Sequence, residues 1–340
     1  LSIFKSLNNY TGKGLGFSGT FESADIFPTF FDTLKLQEDY SLGFKRKTPA
    51  DGFDIYKGKA RYYDDIDLSH KGLRGNGKFE YLSSNSTSDS ISFFPDSTNL
   101  HSQTFVIREI PNGIEFPSVK NTETYMHFEP YQDRLDILKK SDVFEFYNLQ
   151  ANFDGDLLMR PAGLTGGGIM SLERAEVNSK LFSFNANWFG SDTASLKVFE
   201  VGGGLAFKAN DLNTYIDLFS RNGIFYSNGS QSYVELPANQ YITFIDKLKW
   251  KMDEESLTLG DTIVNGSGSE FISVHPLQDS ISFFASTAFY SLKDYIIHAN
   301  GVKNIDIADA SILPDSGVVT VAKNAKIETL YSSQIITDRL

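Results

Sequence analysis

Apolar and polar residues alternate along much of this chain in runs too short for helices. Phe79-Glu80-Tyr81, Phe182-Ser183-Phe184 and Leu248-Lys249-Trp250-Lys251-Met252 place every second side chain on an apolar face. Successive side chains in a strand point to opposite sides, so such runs predict strands with one wet face and one buried face. In Asp89-Ser90-Ile91-Ser92-Phe93-Phe94, Ile91 and Phe93 then face one way and the two serines the other. Gly, Asn, Asp, Ser and Pro bound these runs and predict turns. Tyr241 to Met252 is helical in composition, yet its period of two predicts a strand. Between residues 300 and 337, Ile305-Asp306-Ile307 and Val318-Val319-Thr320-Val321 are short, closely spaced strands, as in the rungs of a solenoid. Two short helices are candidates. One spans 132–141, where Leu135 and Leu138 are three apart, and the other spans 212–219, with Asp211 available as a cap.

The pattern also recurs. Gly72-Leu73-Arg74-Gly75-Asn76-Gly77 returns 91 residues later as Gly163-Leu164-Thr165-Gly166-Gly167-Gly168. Asp89 to Phe94 returns unchanged as Asp279-Ser280-Ile281-Ser282-Phe283-Phe284, 190 residues on. A weaker copy opens at Gly14-Leu15, with Gly19 in the place of Gly77. Fixed spacing of turn glycines before the same strand pattern predicts one supersecondary unit used several times. The expected fold is all-β: a repeat-built β-solenoid, parallel β-helix-like, or stacked twisted β-sheets, with at most one or two short helices. The expected organisation is one elongated body over 1–340, with units near 12–60, 61–150, 151–240 and 241–340.

Composition narrows the function. Lys and Arg total 31 against 43 Asp and Glu, a net charge of −12, and no basic stripe offsets it. Such a chain repels a nucleic-acid backbone, so nucleic acid is not an expected partner. There are no cysteines, which removes disulfides, thiolate metal sites and cysteine nucleophiles. No run approaches the roughly twenty apolar residues that a membrane-crossing helix needs. The 29 Phe and 16 Tyr suit a pleated, half-buried surface. The first residue is Leu1 rather than Met, which fits an excised or processed piece of a longer chain.

Signatures of chemistry are sparse. Gly14-Leu15-Gly16-Phe17-Ser18-Gly19 matches the glycine pattern of a dinucleotide loop, but a strand-like run follows where a helix is required. Gly202-Gly203-Gly204 lacks the Lys that would reach phosphate, and Gly266-Ser267-Gly268-Ser269 reads as a loop. His70, His101, His127, His275 and His298 are scattered, with no zinc-binding spacing. Two acidic clusters remain as weak calcium candidates: Asp65 and Asp67 on one strand face, and Asp306, Asp309 and Asp315. The alternative is a solvated acidic edge that discourages edge-to-edge pairing. No catalytic residue and no organic cofactor is nominated.

Several stretches resemble long, repetitive cell-envelope proteins of Bacteroidetes. They are Phe79-Glu80-Tyr81-Leu82 after the Gly72 turn, Pro95-Asp96-Ser97 after Phe93-Phe94, and Pro130-Tyr131-Gln132-Asp133. Asp306-Ile307-Ala308-Asp309-Ala310, followed by Pro314-Asp315-Ser316-Gly317, completes the set. The resemblance implies export to the periplasm, outer membrane or cell surface, and a much longer parent chain. It carries no catalytic residue.

The function expected from these readings is a non-enzymatic structural or interaction module of an exported envelope protein, with other envelope proteins or glycan as partners. A polysaccharide-binding or lyase-type β-solenoid is the first alternative, and a lipid-conveying β groove the second.

Overall fold

The computed structural model describes residues 15–229, 233–260 and 268–337. The chain divides into two compact units, Leu1–Gly166 and Gly167–Leu340. Both are all-β, and the single helical element among the described residues is a 3-10 turn at Pro130–Gln132.

In the first unit, Ala60–Ser69, Gly72–Tyr81 and Ser84–Phe93 are ten-residue strands paired antiparallel. Each serves two layers. The first half of Ser84–Phe93 pairs with Thr104–Ile107, and its second half pairs with Thr98–Ser102. The strands that follow, up to Phe146, are shorter and belong to one layer each, until Ala151–Arg160 again pairs with both. Thr124–Glu129 and Arg134–Lys139 extend one layer, and Val119–Asn121 and Phe144–Phe146 extend the other. The long strands bend where the layers meet. Asp64 takes a left-handed φ of 83° there, and the register slips between Gly75 and Gly77. Gly77 is required at this crease, because a Cβ on it would stand 2.1 Å from the carbonyl oxygen of Tyr63.

Between the layers lies an aromatic core. Tyr62, Phe79, Phe105, Phe128, Phe144, Phe146 and Phe153 are fully buried. The Phe128 ring of one layer sits 5.5 Å from Phe79 and 4.8 Å from Tyr81 of the other. Each such ring stabilises the fold by roughly 2–3 kcal/mol through area removed from water. Opposite the crease the hairpin turns meet. The Tyr56 hydroxyl lies 2.8 Å from the carbonyl oxygens of Phe94 and Ser97 and 2.7 Å from Thr98 Oγ1. Lys59 pairs with Asp133 at 2.6 Å across the same seam.

The second unit repeats this logic: Ala175–Phe184, Trp188–Phe199 and Leu205–Asp217 are long, the last of them feeds both layers, and shorter strands follow. Its front layer contains Asn222–Ser227, Lys247–Lys251, Ser256–Leu259, Thr287–Ser291, Ile296–Asn300, Val318–Ala322 and Lys326–Ile327. Its back layer contains Tyr233–Leu236, Tyr241–Phe244, Ser269–Ser273, Ser282–Ala285, Ile305–Ile307, Ala310–Leu313 and Gln334–Ile336. The chain makes a hairpin in one layer, crosses, and makes the next hairpin in the other. Alternation then sorts the side chains. Phe225, Leu248, Leu259, Ala288, Ala299 and Val319 form one buried row across the front layer. Trp250, Leu257, Tyr290, Ile297 and Val321 form a second.

Three expectations need correction. The strand pairings of the described residues are antiparallel, so a parallel β-helix is not what forms; hairpin turns reverse the chain within each layer before it crosses to the other. The helical candidates are strands: Arg134–Lys139 falls in 132–141, and Leu205–Asp217 ends in 212–219. The hexapeptide at 89 and at 279 takes two conformations. Asp89 to Phe93 lies in a continuous strand, whereas Asp279 and Ser280 form a left-handed turn at φ 45° and 57°. Tyr241 to Met252 is extended as expected, split into two strands in different layers.

Candidate functional site

The outer faces of the second unit are the most differentiated surfaces of the described chain. The seven front strands hold Lys247, Lys249, Lys251, Lys326 and His298 and no carboxylate. The seven back strands hold Glu235, Glu270 and Asp306 and no Lys or Arg. Strand alternation produces this sorting. In Lys247-Leu248-Lys249-Trp250-Lys251 the buried Leu248 and Trp250 anchor the strand and turn the lysines outward.

On the front face one cross-strand row reads Tyr215, Ile224, Lys249, Thr258, Phe289, His298 and Thr320. Tyr215, Tyr226 and Phe289 keep 39%, 46% and 39% of their surface exposed. The Trp188 ring packs against Tyr215, tilted by 36° at 4.9 Å, its edge 3.5 Å from where a Cβ on Gly190 would stand. Lys247 Nζ stands 5.3 Å from the Tyr226 ring centre. Lys251 reaches Glu254 in the following turn at 2.8 Å, and Lys249 has no carboxylate partner among the described residues. On the back face Tyr233 and Phe244 lie 6.1 Å apart, Phe284 is half exposed, and Glu235 is held by Lys208 at 2.7 Å.

The second unit's polar side chains concentrate at its seam. Arg174 donates from Nε and Nη2 to the Phe199 carbonyl at 3.2 and 3.0 Å, and from Nη2 to the Leu292 carbonyl at 3.3 Å. Its Nη1 meets Glu255 at 2.6 Å, and Tyr295 Oη lies 3.3 Å from Nη2. Lys323 pairs with Glu200 at 2.6 Å and lies 4.0 Å from the Tyr295 ring centre. Asn239 donates to the carbonyls of Tyr295 and Val321. These groups tie hairpin turns of the two layers together. A cleft of about 630 Å³ opens beside them, lined by Arg174, Glu173, Glu176 and Glu200.

The acidic candidates separate. Asp65 and Asp67 share a strand face, where Lys47 and Lys45 face them at 3.7 and 3.3 Å. Both line an open cleft of about 1100 Å³ that also presents Lys35, Lys71 and Arg74, so its charge is mixed. Asp306 accepts hydrogen bonds from Asn304 Nδ2 at 2.9 Å and Ser311 Oγ at 2.5 Å. Asp309 lies in the turn after Asp306, and Asp315 lies beyond Ala310–Leu313 at the other end of that hairpin. Among the described residues no three His, Asp or Glu side chains converge as a metal site.

The remaining motifs also find places. Gly16 and Gly19 stand in Gly16–Phe21, a strand followed by a bend and another strand; Gly14 lies outside the described residues. Gly202, Gly203 and Gly204 form a hairpin turn, in which Gly203 donates to the Glu200 carbonyl. Gly266 and Ser267 lie outside the described residues. The histidines are dispersed: His70 contacts Asp39, His127 contacts Asn99, His101 packs on Tyr125 and His298 on Phe289. Asp39 is held down at about 2, first by the Ser41 hydroxyl and then by the Ser41 backbone N–H. No helix among the described residues is long and apolar enough to cross a membrane.

The front face was only half legible in sequence. Period two around Lys249 gives its strand, but the neighbours Ile224 and Thr258 come from pairing across the layer. No protein-family model matches the chain, and no curated protein matches it.

Proposed function

We propose that this chain is a non-enzymatic structural and interaction module of a larger exported cell-envelope protein, built to present sheet faces to partners. The observation that carries this reading is the sorting of charge among the shorter strands of the second unit, with lysines and a histidine in one layer and carboxylates in the other. A layer that only needs solubility works best with both signs interspersed. The seam supports the same reading, because Arg174, Glu255, Lys323 and Glu200 are engaged in tying turns together. The resemblance to Bacteroidetes envelope proteins supplies the setting.

The test is co-sedimentation of the purified 340-residue chain with envelope and cytosolic fractions of a Bacteroidetes cell, alongside polysaccharide-cleavage assays with and without calcium. Saturable binding to the envelope fraction, without turnover, is the expected result. Turnover that disappears on substituting Asp65 and Asp67, or Asp306, would replace this reading with the lyase alternative.

A further inference from the structure

We infer that the front face of the second unit binds a linear anionic polysaccharide, of the uronate class, laid across its strands. This rests on the interaction-module reading above and names the partner for one of its faces.

Three features converge there. The first is charge. A chain with 43 acidic and 31 basic residues places four lysines and a histidine, and no carboxylate, in the seven shorter strands of one layer; Asp217, on the long strand that carries Tyr215, accepts from the backbone N–H groups of Phe219 and Ser220. Lys249 stands at the middle of the row with no carboxylate partner among the described residues, so its ammonium is available to a ligand carboxylate.

The second is the aromatic surface. Tyr215, Tyr226 and Phe289 are exposed on the outer face of this sheet. The Trp188–Tyr215 pair covers the position of Gly190, so that platform is held in place. Aromatic rings offer an apolar, electron-rich face to the C–H side of a sugar ring, while hydroxyls and ammonium groups meet its polar edge.

The third is spacing. Tyr215 and Phe289 lie four strand steps apart, about 19 Å at the usual separation between strands. Several linked sugars span that distance, with Lys249 and Thr258 between the two rings. His298 and Thr320 continue the row. A compact ligand would not use a row of this length.

The back face is the internal contrast. It also exposes rings, at Tyr233 and Phe284, but carries Glu235, Glu270 and Asp306. The neighbouring cations Lys208 and Lys197 stand on the long strands at one end of this layer, with Lys208 engaged by Glu235 at 2.7 Å, so an acidic glycan gains less there.

The test uses the full 340-residue chain and affinity electrophoresis through gels containing polygalacturonate, with dextran as the neutral control. Retardation by polygalacturonate and not by dextran is expected, weakening as salt rises. Lys247→Glu with Lys249→Glu, and separately Tyr215→Ala with Phe289→Ala, should each weaken binding about tenfold or more. Glu270→Gln with Phe284→Ala on the back face should leave binding unchanged. Thermal melts of all variants separate lost binding from lost folding; the milder Lys249→Gln and Phe289→Leu serve if a pair fails to fold. Equal losses from front and back variants, or no retardation of folded protein, would overturn the inference. Envelope co-sedimentation that persists without polygalacturonate binding would spare the module reading and remove only this partner. Concentration-dependent self-association abolished by Lys249→Glu would assign the face to a second copy instead.

Discussion

At the residue scale, buried tyrosines set the chemistry of stability. Burial pushes the hydroxyls of Tyr56, Tyr81 and Tyr241 up to about 12, and those of Tyr62, Tyr147 and Tyr290 upward as well. An unfolded tyrosine ionises near 10. The folded state therefore holds more protons between about pH 10 and 12, and stability falls as pH rises through that window. Melting temperature should be flat from neutral pH to about 9 and then drop steeply, with the tyrosinate absorbance of the buried hydroxyls appearing together with unfolding. Ionisation of all 16 tyrosines near pH 10 in a still-folded protein would contradict this. Tyr56→Phe should cost about 1–2 kcal/mol in a denaturant titration, because the Phe94 and Ser97 carbonyls and Thr98 lose their partner. The sequence could not single out Tyr56. Nothing local distinguishes a tyrosine that laces a seam from one that lies open, such as Tyr40 or Tyr131.

At the element scale, the strands were legible and their ends were not. Alternation identified Leu248 and Trp250 as buried because packing on one face obeys a period of two wherever a layer has one wet side. The candidate helix at 212–219 failed for an informative reason. Asp211 carries a left-handed φ of 54° inside Leu205–Asp217, where the long strand bends between layers. Asp tolerates that conformation as readily as it caps a helix, so one residue type fits both readings. Leu135 and Leu138 misled likewise: Leu135 is buried with Ile137, while Leu138 points outward at 40% exposure. The hexapeptide shared by 89–94 and 279–284 shows the limit of local identity, since Asp89 and Ser90 extend through the register slip of a long strand whereas Asp279 and Ser280 turn before a short one. Creases are more stringent than strands. Gly77→Ala should destabilise the fold by about 2 kcal/mol or more, because its Cβ would meet the Tyr63 carbonyl, whereas Gly58→Ala meets no atom within 4 Å and must bear only its positive φ. A smaller loss at Gly77 than at Gly58 would contradict the crease.

At the scale of each folded unit, two layers hold together by a filled interior and a laced seam. Arg174→Met should destabilise the second unit by roughly 2–3 kcal/mol, since it strands the Phe199 and Leu292 carbonyls and removes the partner of Glu255. Hydrogen exchange should locate the loosening at 199–204, 252–255 and 292–295 rather than throughout the chain. The acidic residues proposed as calcium ligands fall into two arrangements. Asp65 and Asp67 face lysines, and Asp306 engages Asn304 and Ser311. The sorting of charge among the shorter strands was invisible in composition, because a net charge counts residues without regard to the layer each strand joins.

The antiparallel alternation of hairpins between layers underlies both faces, and cysteine cross-linking reads it directly because the native chain has no cysteine. Asn300 and Val318 lie directly opposite in neighbouring antiparallel strands. Asn300→Cys combined with Val318→Cys should therefore oxidise readily to an intramolecular disulfide. Ile296→Cys combined with Val318→Cys should not, since Ile296 lies four residues along the strand, about 13 Å away. Efficient closure of the Ile296 pair and failure of the Asn300 pair would mean parallel rungs, and would contradict the two-layer structure on which both outer faces depend.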